Sequence, residues 1–93
     1  MTAALMLSMS PSLALAQSKP DRVIGEFLCK DVMREPGGNR DIVIAFLHGY
    51  LLGKSNASAF SSERLQQQTD AFVERCLDNP QAKAEDVMLQ VKN

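Results

Sequence analysis

Apolar positions along the chain recur with helical periodicity. Between Arg40 and Lys54 lies an apolar run, IVIAFLHGYLL (42–52), that includes one Gly and one His but no Asp, Glu, Lys or Arg. Asn39 before the run is a typical N-cap, and Gly53 after it is a typical C′ residue. Because apolar residues cover every side, we predict a central helix with one face on other helices and the opposite face on a second copy of the protein.

A second amphipathic helix is predicted after a small-polar loop at 55–62, with Ser61 or Ser62 as its N-cap. Its apolar stripe recurs at i, i+4, i+7, i+8, i+11 and i+12. The stripe consists of Leu65, Thr69, Phe72, Val73, Cys76 and Leu77. The sequence Asp78-Asn79-Pro80 then ends the helix.

Two shorter helices complete the pattern. One is predicted at 29–35 and ends at the Pro-Gly-Gly sequence of 36–38. The other opens at Asn79, with Pro80 at the first helical position. Its apolar residues are Val87, Met88 and Val91. No segment shows sustained strand alternation, so we predict an all-α single domain of about four short helices.

The first 16 residues are uncharged and mostly apolar, and they end in Ala14-Leu15-Ala16, which has small residues at the two positions that signal peptidase recognises. We therefore predict a signal peptide at 1–16 and an exported domain at 17–93. A helix needs about 20 apolar residues to cross a bilayer, so the run at 42–52 is too short to do so. No membrane span is expected.

The two cysteines, Cys29 and Cys76, enter an oxidising compartment if the chain is exported. They allow one intramolecular pairing, whose closed loop of about 48 residues contributes roughly 4 kcal/mol in the chain-entropy model. Such a small domain is marginal without a covalent link. We predict a Cys29–Cys76 disulfide, since the cysteines lack CxxC spacing and one histidine with two distant cysteines makes a poor zinc site. No metal or cofactor is expected.

The remaining residues predict no catalytic chemistry. His48 is the only histidine, and its helical neighbours are apolar, so we interpret it as a packed or interface residue rather than as part of a triad. No GxSxG sequence is present. Basic and acidic residues are interspersed without a basic stripe, which disfavours nucleic-acid binding. We expect a protein that is not an enzyme.

Three segments resemble the HdeA/HdeB family of periplasmic acid-stress chaperones: FLCKDVM (27–33), AFLHGYLLGK (45–54) and FVERCLDNP (72–80). The order of features is similar as well, from a signal peptide and an aromatic residue two before the first cysteine to a short polar C-terminal helix. The resemblance covers Phe27 to about Val91. The chain departs from the best-known members in having Phe27 where they have Trp and in a more apolar central helix.

The resemblance implies a periplasmic homodimer that dissociates in acid, partly unfolds and binds unfolding client proteins without ATP. The composition fits this behaviour, because the formal charge of −1 at pH 7 becomes roughly +12 near pH 2, and such repulsion opposes a compact dimer. We expect the run at 42–52 to serve as both dimer contact and client-binding segment. The residues expected there are Ile42, Phe46, Leu47, Tyr50 and Leu51. The alternative is a constitutively folded periplasmic protein-binding or inhibitor module.

Overall fold

The computed structural model describes residues 20–93, so the predicted signal peptide at 1–16 lies outside the described part of the chain. Within residues 20–93 the chain forms four helices and no strand beyond a single bridge between Leu28 and Lys83. The helices are α1 (Cys29–Met33), α2 (Gly38–Lys54), α3 (Ser62–Asp78) and α4 (Ala84–Lys92). The prediction of a small all-α fold with about four short helices is confirmed.

The predicted ends of α2 are wrong. The helix is entered through Gly37, whose φ of 51° lies in the region that favours glycine, so Asn39 falls within the first turn. At the other end the helix continues through Gly53 to Lys54. The left-handed residue there is Asn56, with a φ of 60°. At both ends the helix therefore extends farther than Asn39 and Gly53 indicated, and residues with positive φ, Gly37 and Asn56, lie outside it.

The segment between α3 and α4 caps α1 instead of opening α4 at Pro80, as the sequence had indicated. The backbone N–H of Cys29 donates to the carbonyl of Ala82 (2.8 Å), and that of Lys30 donates to the carbonyl of Pro80 (2.9 Å). The N–H of Ala84 donates to the carbonyl of Phe27 (3.1 Å). The first turns of α1 and α4 are therefore joined through the backbone, and these bonds satisfy N–H groups that a helix start leaves unpaired.

The start of α3 agrees with the sequence. The Ser61 side chain accepts a hydrogen bond from the backbone N–H of Arg64 (3.2 Å), as an N-cap residue does. Along the predicted stripe, Phe72 and Cys76 are buried. Leu77 is 62% exposed, which corrects its assignment to the buried face. It lines a shallow surface depression together with Ile44 of α2 and Val73 of α3.

The core lies where α1, the inner side of α2, the C-terminal half of α3 and α4 meet. Its largest fully buried side chains are Phe72, Leu47, Met88, Val32, Cys29 and Cys76. The Cys29–Cys76 disulfide is confirmed; it links the first residue of α1 to the last turn of α3 across a Cα–Cα distance of 5.0 Å.

Among the described residues, no helix combines the length and the apolar character that crossing a membrane requires.

Candidate functional site

The central helix α2 has two unlike apolar faces in a single chain. Its inner face, formed by Ile44, Leu47 and Leu51, is buried in the core. The opposite side, which we call the outer face, carries Ile42, Ala45, Phe46, Gly49 and Gly53. All of these outer residues are exposed, and the two large ones, Ile42 and Phe46, are 67% and 49% exposed.

The five residues predicted for the dimer and client site divide between these faces. Leu47 and Leu51 belong to the inner face, whereas Ile42 and Phe46 belong to the outer face. Tyr50 is half-buried at the edge between them. Its ring stacks on that of Phe46, with 6.1 Å between centroids, and the Lys54 ammonium lies 5.1 Å from its centre. The roles of these residues in dimer contact and client binding stay predictions.

The outer face continues into a shallow depression of about 490 Å³ at the start of the described chain. Phe46 and Val43 of α2 form one side of it, and Ile24 and Phe27 form the other. An ion pair between Arg22 and Glu35 lies at its rim. Apolar surface thus extends from the outer face towards α1, and a contiguous exposed patch of this kind is typical of a protein-binding surface.

A cleft of about 620 Å³ separates α2 from the N-terminal half of α3. Its α2 wall includes Ile44, His48 and Leu52, and its other wall includes Leu65 and Thr69. Phe60, in the connecting loop, lies at one end and is 71% exposed. The two longest helices are therefore splayed apart here, and a hydrogen bond between side chains joins them across the cleft.

That hydrogen bond connects Nε2 of His48 and Oγ1 of Thr69, which lie 2.8 Å apart. His48 is only 5% exposed, and the Nδ1 atom of its ring has no hydrogen-bond partner within the described residues. Burial lowers the pKa of His48 from 6.5 to about 4, and the positive charge of Lys92 lowers the pKa in the same direction. The fold therefore holds a neutral histidine whose protonation would place a charge and a second N–H in a dry position.

A second polar link joins α2 to α4. The Lys54 ammonium donates to Oε2 of Glu85 at 3.2 Å, and this hydrogen bond raises the pKa of Lys54. Lys92, near the end of α4, donates to Oε1 of Gln68 at 2.8 Å, and partial burial lowers the pKa of Lys92. The pKa values of Lys54, at the end of α2, and of Lys92, at the end of α4, are therefore shifted by neighbouring protein groups.

The sequence did not identify these polar links. It treated His48 as a packed residue and Thr69 as one position in an apolar stripe. A threonine among buried apolar positions was the available signal, because a buried hydroxyl needs a partner. Lys54 and Glu85 are 31 residues apart and have no local pattern that joins them. Within residues 20–93, no group of three or more His, Cys, Asp or Glu side chains is arranged to hold a metal ion.

Comparison with known protein families shows a match over most of the chain. The model of the HdeA/HdeB family matches residues 1–86, which is nearly the whole chain and includes both cysteines, all of α2 and the cleft. No curated protein and no solved structure matches the chain.

Proposed function

The chain belongs to the HdeA/HdeB family, and from this premise we propose that it is an acid-activated, ATP-independent chaperone. The family is known for acid-stress chaperones of the periplasm. In this proposal residues 1–16 direct export, and the domain at 17–93 acts in the periplasm by binding unfolding proteins at low pH. It is not an enzyme and uses no cofactor.

The observation that carries the proposal is the outer face of α2. A helix of 17 residues presents Ile42 and Phe46 to solvent without an acid or base between them. At neutral pH we expect a second copy of the chain to cover this face, in a homodimer. In acid the dimer separates, and the same face binds apolar segments of client proteins.

The charge of the chain supports the direction of this change. Near pH 2 the ten Lys and Arg residues, His48 and the amino terminus are cationic while the eleven acidic residues are neutral, so the formal charge moves from −1 to roughly +12. Repulsion between like charges then opposes dimer contact and also keeps a client complex soluble. The outer face has no titrating side chain, so its apolar character does not depend on pH.

The substitution Phe46→Ser tests the shared role of this face. A phenylalanine side chain buries about 150–250 Å², so the 49% of Phe46 that is exposed offers roughly 100 Å² to a partner, or about 2.5 kcal/mol. The effect counts twice in a symmetric dimer. We expect sedimentation at neutral pH to show a weakened dimer, and light scattering of an acid-denatured client at about pH 3 to show weaker protection.

The matched control is Phe60→Ser. Phe60 is more exposed than Phe46 but lies in the loop before α3, away from the outer face. It should leave both dimer and client protection close to those of the parent chain. If Phe46→Ser weakens the dimer and leaves protection intact, the outer face is only an interface between copies. If the parent chain stays fully folded in acid and protects no client, the protein is a constitutively folded binding module instead.

A further inference from the structure

Besides the apolar packing of its inner face, α2 is held to the rest of the molecule by polar links that differ in chemistry from the links between the other helices. α1, α3 and α4 are joined by the Cys29–Cys76 disulfide and by the backbone hydrogen bonds between 27–30 and 80–84. Acid leaves a disulfide and amide hydrogen bonds unchanged. We call these three helices, with the segment at 79–83, the three-helix unit.

Within residues 20–93, the side-chain links of α2 to α3 and to α4 each involve an ionisable group. His48 joins α2 to Thr69 of α3, and Lys54 joins α2 to Glu85 of α4. A proton on His48 adds a charge in the buried position. The link to α4 is an ion pair, and its attraction depends on the charge of both partners. The third polar contact, from Nη1 of Arg40 to Sδ of Met33 in α1, is a weak one at 4.0 Å.

The surroundings of His48 offer no compensation for its positive charge. From α4, the charged group that faces it is the Lys92 ammonium, which repels it. The α3 wall of the cleft consists of neutral residues within the described chain, among them Gln66 and Thr69. From α2 itself, Asp41 lines the same cleft, but it is seven residues away, or about 10 Å along the helix axis.

We propose that acid releases α2 as a single element from the three-helix unit, which stays assembled around its disulfide. The inference rests on the proposed function, because it states how the client-binding surface is enlarged. Release exposes the inner face of α2, formed by Ile44, Leu47 and Leu51, in addition to the outer face. It also uncovers the part of the core that α2 had covered, so a client meets two apolar surfaces joined by the loops at 34–37 and 55–61.

Hydrogen exchange resolved by segment, measured on the exported domain from pH 7 down to about pH 3, tests this order of opening. We expect amides of α2 to lose protection at a higher pH than amides of α4 and of the C-terminal half of α3. The pKa difference of His48 predicts a loss of about 100-fold in the protection of α2 between pH 7 and pH 4. Simultaneous loss of protection in all four helices would overturn the proposal. The measurement on the parent protein alone decides between these two outcomes.

A double variant isolates the two side-chain links. His48→Gln with Glu85→Gln keeps amide groups that bond to Thr69 and Lys54 but removes the ionisable imidazole and carboxyl groups. We expect α2 in this variant to keep its pH 7 protection at pH 4, to within a few-fold. The control is Asp86→Asn, which removes an exposed carboxylate next to Glu85 and should open like the parent. If α2 of the double variant opens as readily as that of the parent, the two links do not control release.

A client assay on the same proteins separates this inference from the proposed function. If α2 opens first but no client is protected, the release mechanism stands and the chaperone proposal fails. If clients are protected while all helices open together, the chaperone proposal stands and the separate release of α2 is wrong.

Discussion

The buried histidine gives a quantitative prediction for the pH dependence of stability. In the unfolded chain His48 is expected to titrate near its ordinary pKa of 6.5, whereas burial beside Lys92 lowers the pKa to about 4 in the folded chain. The difference of about 2.5 pKa units corresponds to roughly 3 kcal/mol at 1.36 kcal/mol per unit. A domain of this size has a total stability of only about 4 to 11 kcal/mol, so this contribution is a substantial part of it.

The sign follows from which state binds the proton first. Between pH 6.5 and about pH 4 the unfolded chain is protonated at His48 and the folded chain is not, so acidification favours unfolding in this window. The stability contribution is complete above pH 6.5, falls progressively below that pH, and is lost once the pH has reached the folded-state pKa of about 4. Below about pH 4 both states carry the proton, and any further loss comes from carboxyl groups and net charge.

The substitution His48→Gln should flatten this part of the curve. Glutamine retains an amide that bonds to Thr69 but does not titrate. Urea unfolding followed by circular dichroism, at pH 7 and at pH 4 and equal protein concentration, should show the parent losing about 3 kcal/mol more than the variant. Equal concentration matters because dimer formation adds to apparent stability.

A relocated histidine provides the control. Adding Gln67→His to the variant restores one histidine at an exposed position of α3, and this protein should behave like His48→Gln alone. An equal pH dependence for parent and His48→Gln would refute the linkage argument. So would a proton magnetic resonance titration in which the single histidine of the parent titrates near 6.5.

Three further predictions concern the scaffold around this site. The double substitution Cys29→Ser with Cys76→Ser should lower the free energy of unfolding by roughly 4 kcal/mol and weaken client protection in acid; equal protection would make the disulfide purely structural. Gly37→Ala should lower the free energy of unfolding in urea by about 1–2 kcal/mol, because the φ of 51° is unfavourable for alanine. A Cβ added at Gly38 meets nothing within 4 Å, so Gly38→Ala should leave the stability unchanged. Equal effects of the two substitutions would contradict the backbone argument. Ser61→Ala should cost about 1 kcal/mol by removing the N-cap of α3, and an unchanged unfolding midpoint would count against that role.

The helices could be predicted because they depend on residues close together in the sequence. The disulfide could be predicted because the chain has only two cysteines. The stripe in α3 and its Ser61 cap have local causes, and two cysteines permit one pairing. The start of α4 was misplaced because the carbonyl of Pro80 bonds to Lys30, a partner 50 positions away in the chain. The same limit applies to His48, whose lowered pKa depends on burial between helices and on Lys92 at the far end of the chain. Non-local surroundings of this kind leave no periodic signal.

The position of the disulfide also determines what happens when acid is neutralised. Cys29 and Cys76 lie outside the two ends of α2, so the whole helix belongs to a covalently closed ring of chain. The loops at 34–37 and 55–61 extend to about 14 Å and about 25 Å at most, which keeps a detached α2 close to its original position. The return of α2 to the three-helix unit is therefore an intramolecular step. Its rate depends on the effective concentration of α2 within the same chain and not on the protein concentration. Recovery of the fold should be equally fast in dilute and concentrated samples, and reassociation of two copies is then the step that slows on dilution.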